Sequence, residues 1–409
     1  MKKRYVDPFT PDLPIDSPSR FSGRVKEIDS VVDSLFQLAN SKPKHTIITG
    51  DRGIGKSSVL VQVKNIAEGN LDLVTRLGID PGENFYDFLC AWHDCATDQT
   101  PADLATGILK QLKTSLENVL GKIKFEINFA GFLTVSQKED STISSLSEVV
   151  DLFCSEIMKA EKEAKDKNKS GILLFFDELD RVKSGSGVAT FFKLSAEKLS
   201  RDGAKHVSFF AAGITGAIQN LEEEHGSIYR TFKDVPLPRL KFSEVEQILE
   251  DGFQLASCTY ENEVIEKIFK LCAGYPEPVH LLGSQILKSD LDNHLSIDDF
   301  ELAKVEVVET LRRNKLISML KKAGSGKYQK ILEAMASHDN PNVPSAYISE
   351  KIGYKPNEYS TNMGSLIQGN IISSVDRGVY CFVDPLLKEY ISRFGVISAK
   401  DESSSEIEV

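Results

Sequence analysis

Apolar and polar positions change period along this chain, and the changes divide it into segments. Val25, Ile28, Val31, Val32, Leu35 and Phe36 recur at helical spacing and predict a helix over 25–40. HTIITG (45–50) reads as a short buried strand and KSSVLVQVKNIA (56–67) as a helix. LVTRLGID (73–80) is a second strand candidate. FYDFLCAW (85–92) and LATGILKQLKTSLENVL (104–120) have helical patterns. KFEINFAGFLTVSQ (124–137) alternates, predicting a hairpin inserted at about 121–142. VVDLFCSEIMKAEKEAKDKNKS (149–170) is amphipathic with a charged end, GILLFFDELD (171–180) is the most apolar strand, and HVSFFAAGIT (206–215) is another. Near-continuous apolar strands alternating with helices argue for an α/β fold with a parallel sheet covered on both faces.

After Pro236 the pattern is helical. Ser243 with Glu246 reads as a capping box opening SEVEQILEDGF (243–253). Tyr328, Ile331, Leu332 and Met335 form one stripe. Tyr347, Ile348 and Ile352 form a second, stopped by Gly353, and Tyr359, Met363, Leu366 and Ile367 form a third. IISSV and VYCFV flank Asp376-Arg377-Gly378, a hairpin signal. Three helices and a hairpin, with DPLLKEYISRF (384–394) behind them, predict a winged helix-turn-helix. The expected organisation is an extended arm (1–20), an α/β core (21–242), a helical segment (243–325), the winged helix (326–397) and an acidic, disordered tail (398–409).

Gly50-Asp51-Arg52-Gly53-Ile54-Gly55-Lys56-Ser57, followed by Ser58, fills the pattern G-x-x-x-x-G-K-[ST] completely, after a strand and before a helix. Glycines let such a loop wrap a phosphate so that successive N–H groups point inward, and the following helix adds its positive end. Lys56 is then the cation for the β- and γ-phosphates of ATP, and the Ser57 hydroxyl a ligand for Mg²⁺. Ile172 to Phe176 followed by Asp177 and Glu178 supplies the second element: Asp177 as the carboxylate on the metal side, Glu178 as the base that orients the attacking water. The reaction expected is ATP hydrolysis.

Composition narrows the setting. Across 409 residues, no run of apolar residues is long enough for a membrane span, and the amino terminus lacks the apolar stretch of a secretory signal. A cytoplasmic location is expected. Cys90 and Cys95 with His93 lack a second ligand pair at metal spacing, so a structural zinc is not expected. The net charge of −11 opposes general attraction to nucleic acid or anionic membrane. Over 326–394, seven basic and seven acidic residues balance, and the third helix of the winged segment carries no Lys or Arg. The adjoining 310–327 does hold Arg312, Arg313, Lys315, Lys321, Lys322 and Lys327 without an acid.

With Pro8-Phe9-Thr10-Pro11, then Phe21-Ser22-Gly23-Arg24 with Glu27, the phosphate loop, FFDELD and the terminal module, nearly the whole chain resembles the AAA+ and STAND-type P-loop ATPases, close to the archaeal-type and origin-recognition ATPases. The resemblance implies a helical lid at 243–325 and places Phe21, Gly23 and Arg24 near the adenine; a cap and turn before the first helix is the competing reading. It implies a γ-phosphate sensor at Thr215, where relatives often carry Asn. It aligns Gly274-Tyr275-Pro276 with the STAND lid element whose proline contacts the base, against the simpler reading of a helix ended by Gly and restarted by Pro. The sensor arginine of the origin-recognition family would fall at Glu277 and is absent. Arg230 is the candidate for action on a neighbouring subunit's nucleotide within a homo-oligomer, with Arg181 and Arg239 as competitors.

The leading expectation is an ATP-dependent switch acting on a partner protein, with bacterial conflict or phage defence the setting the resemblance suggests. A DNA-loading or transposition-regulating ATPase is the alternative, and its basic recognition helix is missing.

Overall fold

A computed structural model describes residues 5–120, 143–183, 185–214, 228–324 and 326–396. The hairpin expected at 121–142, Thr215 and the tail at 398–409 lie outside the described residues. Two compact units emerge: Pro14–Pro238, and the residues up to Leu13 together with those from Arg239 onward.

The first unit is built on five parallel strands, β1 (His45–Thr49), β2 (Phe88–Asp94), β3 (Gly171–Asp177), β4 (Val207–Gly213) and β5 (Phe232–Pro236), in the order β2-β3-β4-β1-β5. Because all five run the same way, the residues following β1, β3 and β4 leave the sheet at one edge, where α/β folds bind their ligands. Register pairs Asp94 with Asp177, and Thr49 with both Gly213 and Pro236. Every residue of β1, β3 and β4 is buried, as a sheet covered on both faces requires. Helices α1 (Val25–Ala39), α2 (Lys56–Ala67), α3 (Asp72–Leu77), α4 (Pro101–Leu120), α5 (Ile143–Asp166), α6 (Val188–Arg201) and the short α7 (Ile228–Thr231) complete it. Phe176 meets Phe192 edge-to-face at 4.8 Å, and Phe209 and Phe232 close the same cluster.

Two elements of this unit exchange type relative to the sequence reading. LVTRLGID is not a strand: Asp72–Leu77 is a helix, preceded by a turn in which Asn70 Oδ1 accepts the Asp72 N–H (3.0 Å), and ended by Gly78. Leu73, Val74 and Leu77 carry helical spacing that the β-branched residues masked. FYDFLCAW is not a helix: Phe88–Asp94 pairs with β3 as the edge strand, its first four residues buried. A continuous apolar run does not distinguish a buried strand from a buried helix by period alone.

In the second unit, α8 (Phe242–Leu255), α9 (Asn262–Cys272), α10 (Pro276–Ser289), α11 (Ile297–Glu306), a π-helical turn (Val307–Leu311) and α12 (Arg313–Ala323) precede α13 (Lys327–Ala336), α14 (Ser345–Ile352), α15 (Pro356–Gln368) and α16 (Leu386–Phe394). The strands do not stop at Pro236. β6 (Thr259–Tyr260) and β7 (His294–Leu295) form a two-residue parallel pair, and β8 (Val343–Pro344) joins the hairpin of β9 (Ile372–Asp376) and β10 (Val379–Phe382) in a three-stranded sheet. α8 begins one residue earlier than its expected cap. Glu244 Oε2 accepts the Lys241 N–H at 2.7 Å, so Ser243 and Glu246 lie inside the helix. One hydrophobic cluster runs from Leu240 through Ile286, Leu316 and Leu332 to Ile391, so helices α8–α12 and the terminal module share a core. Phe9 joins it, packing against Phe253 and His280.

Candidate functional site

The loop from Gly50 to Gly55 leaves β1 at the carboxyl edge and enters α2 at Lys56. Gly50, at φ 153°, is required by its surroundings, since a Cβ there would lie 2.9 Å from Ile54 Cγ2 and 3.2 Å from the Leu237 carbonyl. Lys56 is half-buried, and its Nζ donates to the carbonyls of Gly50 (3.0 Å) and Asp51 (2.9 Å), which hold the ammonium across the mouth of the loop. Burial pushes this ammonium's pKa down, against the opposing pull of Asp180, Asp177 and Asp51.

Asp177 ends β3 with a buried carboxyl group. Burial pushes its pKa up, while hydrogen bonds from the Ser57 hydroxyl and the Glu178 N–H (2.8 Å) and the Lys56 charge hold it down. Ser57 thus lies close enough to act on the Asp177 carboxyl. Glu178 follows in the left-handed region (φ 55°, ψ 38°), a conformation that costs a non-glycine residue on the order of 1–3 kcal/mol. The kink takes its side chain out of the line of the strand, and Arg181 Nη2 lies 2.8 Å from its Oε1. Burial raises the Glu178 carboxyl, Arg181 lowers it, and Asp177, Asp180 and Asp94 add to the rise. Asp180 approaches Arg52 at 3.8 Å and accepts the Ile214 N–H at 3.3 Å, which brings the end of β4 to the same edge.

Other expected residues take more structural positions. Arg24 is buried in the left-handed region; its guanidinium donates to the Ile54 carbonyl (2.9 Å) and to that of Pro238, bracing the loop from behind. Phe21 is buried, and its carbonyl accepts from Arg76. Ser58 Oγ accepts the Ile15 N–H at 3.0 Å, while Gln62 and Asn65 hold the Ile15 and Asp16 carbonyls, so this end of the arm lies along α2. Arg230 is exposed in α7. Arg239 in the second unit donates to Cys381 Sγ and lies over the Tyr275 ring. Pro276 opens α10. A Cβ on Gly274 (φ 80°) would stand 2.4 Å from the Leu240 carbonyl, so packing alone demands glycine there.

Two residues at the edge escaped the sequence reading. Asp94, beside Asp177, was hidden when β2 read as a helix. Asp234 Oδ1 accepts from Thr49 Oγ1 at 2.7 Å and comes from β5, a strand with little apolar signal.

The donor set fits a magnesium-bound nucleoside triphosphate: a glycine loop entering a helix, an ammonium at its mouth, and a hydroxyl bonded to a buried carboxylate. A family model described as a domain of unknown function (DUF8462) matches residues 318–391. No curated protein matches the sequence. Among solved structures, the Walker-type ATPase PABY2304 of Pyrococcus abyssi is 18% identical, with a TM-score of 0.54 over 93% of this chain and 99% of that one. The Aeropyrum pernix Orc1 protein in complex with DNA (14% identical, 94% and 95% covered, TM-score 0.44) and the Thermotoga maritima RuvB Holliday junction branch migration motor (14%, 97% and 98%, TM-score 0.43) are similar to a lesser degree. The chain therefore has the fold of the Walker-type ATPase PABY2304. No helix among the described residues is long and apolar enough to cross a membrane.

Proposed function

We propose that this chain binds and hydrolyses ATP and uses the nucleotide state as a switch on a partner protein. The observation that carries the reading is the convergence of Lys56, Ser57 and Asp177 at the carboxyl edge of the sheet. Lys56 would exchange its loop carbonyls for the β- and γ-phosphate oxygens. Ser57 and Asp177 would hold Mg²⁺, which supplies charge neutralisation on those oxygens. Glu178 would orient and deprotonate the attacking water. Its raised pKa suits proton acceptance, and its bond to Arg181 offers a resting position away from the reaction. Arg230 remains the candidate for action in trans because it is exposed, while Arg181 is committed to Glu178.

A partner protein is favoured over DNA by the third helix of the terminal module, which presents Asn357, Ser360, Thr361 and Gln368 to solvent but no cation. The deciding experiment is Glu178→Gln. The amide keeps the shape and cannot take the water's proton, so Mg·ATP binding should persist while turnover falls roughly 10²- to 10⁴-fold. Unchanged turnover would move the base elsewhere, with Asp180 next in line.

A further inference from the structure

Away from the nucleotide loop, the second unit contains a cleft of about 230 Å³ between the lid helices α9 and α11 and the terminal module. Phe300, Leu271, Phe382 and Pro385 give it apolar walls. Its rim is basic: Arg239, Lys267, Lys270, Lys304 and Lys388 stand against Glu301, Asp339 and Glu389, a surplus of two positive charges in a chain of net charge −11.

The surplus is not consumed by internal pairing. Lys304 is taken up by Glu301 (2.6 Å) and Glu389 (3.5 Å), and Lys267 lies 3.7 Å from Glu263. Arg239 meets only a thiol and a phenol ring among the described residues. Lys388 donates to the carbonyls of His338 and Asp339 and has no carboxylate in ion-pair contact among the described residues, the Asp339 and Glu389 charges acting on it from farther away. Lys270, one helical turn from Lys267 on α9, has no ion pair among the described residues and is exposed. Three cations from three separate chain segments thus face one cleft without a carboxylate in ion-pair contact among the described residues. Burial pushes the Lys388 ammonium's pKa down, as happens when a charge is drawn from water without full compensation.

We infer that this cleft binds a small phosphate monoester, its phosphoryl group held by Lys270, Lys388 and Arg239 and its carbon body covered by Phe300 and Phe382. The charge matches: a phosphate monoester carries about −1.5 to −2 at pH 7. Lysine serves phosphate as a point charge, and arginine adds a planar fork. The walls favour an ester over the inorganic ion. Because the cleft joins lid helices to the terminal module, an occupant would bind both and resist their separation. The site is independent of the phosphate loop.

Phenyl phosphate is a suitable probe, titrated by calorimetry into the full chain carrying Lys56→Ala so that the loop does not compete. A single site of submillimolar affinity is expected, tighter than for inorganic phosphate, with at least a ten-fold loss when Lys270→Glu is added. Equal affinity with and without Lys270→Glu, or no binding, would overturn the assignment. As a second measurement in the unaltered chain, phenyl phosphate should slow acetylation of Lys270 and Lys388 relative to Lys42, read by mass spectrometry; uniform reactivity would also overturn it. Weaker phosphate binding on Lys56→Ala alone reports the loop, and loss on Lys270→Glu reports the cleft, so the two readings fail separately.

Discussion

Asp94 and Asp177 are register partners at the ends of adjacent parallel strands, so two carboxylates stand side by side at the edge that carries the phosphate loop. Trp92 Nε1 donates to Asp94 Oδ1 at 2.8 Å and fixes one of them. Like charges so placed repel, and Asp94 pushes the Asp177 carboxyl's pKa upward. A divalent cation relieves that repulsion, and the pair concentrates such cations at the edge. Asp94→Asn should therefore raise the Mg²⁺ concentration needed for half-maximal ATP turnover several-fold, with little change in the maximal rate. An unaltered Mg²⁺ dependence would leave Asp94 a structural role only, as the acceptor for Trp92.

Lys56→Ala should abolish Mg·ATP binding or weaken it at least a hundred-fold by calorimetry, because the phosphates lose their principal point charge. Only two loop carbonyls lose a donor, and both face the loop mouth. The unfolding midpoint should thus change little, which separates a binding defect from a folding defect. Wild-type affinity would remove the nucleotide from this loop.

The site was legible where its chemistry is local. Gly50 to Ser57 must be contiguous to wrap a phosphate, and Ile172 to Asp177 must be a buried strand with an acid at its end. Sequence alone therefore singled out Lys56, Ser57, Asp177 and Glu178 as candidates, and the fold brings them to one edge. What it missed depends on pairing between distant segments. Asp94 matters because β2 lies beside β3, and its run Phe88–Ala91 is apolar without a period. Arg24 could be placed near the site by resemblance, yet its bonds to the Ile54 and Pro238 carbonyls follow from a left-handed turn that no local pattern announces. The terminal stripes were read correctly because amphipathic helices with Gly stops and an Asp-Arg-Gly turn carry their signals internally.

His45 gives the first unit a pH dependence. Its ring is buried between Phe209 and Phe232, centroids at 5.0 and 5.2 Å, and burial lowers its pKa to about 3. Nδ1 accepts the Phe209 N–H at 3.1 Å, which fits a neutral ring. The unfolded chain takes up a proton near pH 6.5 that the folded core refuses, so stability is complete above that pH and is lost as pH falls. This one group should cost about 1.4 kcal/mol per pH unit between roughly pH 6 and 3. Trp92, the chain's single tryptophan, stacks on Phe175 in this unit and reports its unfolding by fluorescence. Urea midpoints at pH 7 and pH 5 should converge in His45→Asn, whose Oδ1 can still accept from Phe209. Equal pH sensitivity in the variant would assign the effect to other groups.

The terminal module should bind duplex DNA weakly. Phosphate contacts by Lys and Arg supply most non-specific affinity, and each neutralised phosphate steepens the salt dependence. α15 carries no cation, so its exposed Asn357, Ser360, Thr361 and Gln368 would have to read bases without anchoring of their own. Anchoring would have to come from the basic stretch 310–327, and two of its six cations already pair with acids. Arg312 pairs with Glu277, Lys315 lies 2.7 Å from Asp384, and Lys327 donates to the Glu358 carbonyl at 3.0 Å while lying over Tyr354. The other four cations of the stretch are fewer than the six to ten phosphates that a strong binder neutralises. The module shares its core with helices α8–α12, so the measurement belongs on the full chain. At about 150 mM salt, the dissociation constant for a mixed-sequence duplex should exceed about 10 μM, and Lys321→Glu with Lys322→Glu should change it less than three-fold. Submicromolar binding with a steep salt slope, lost in that double variant, would restore the DNA-directed reading and make the basic stretch its anchor.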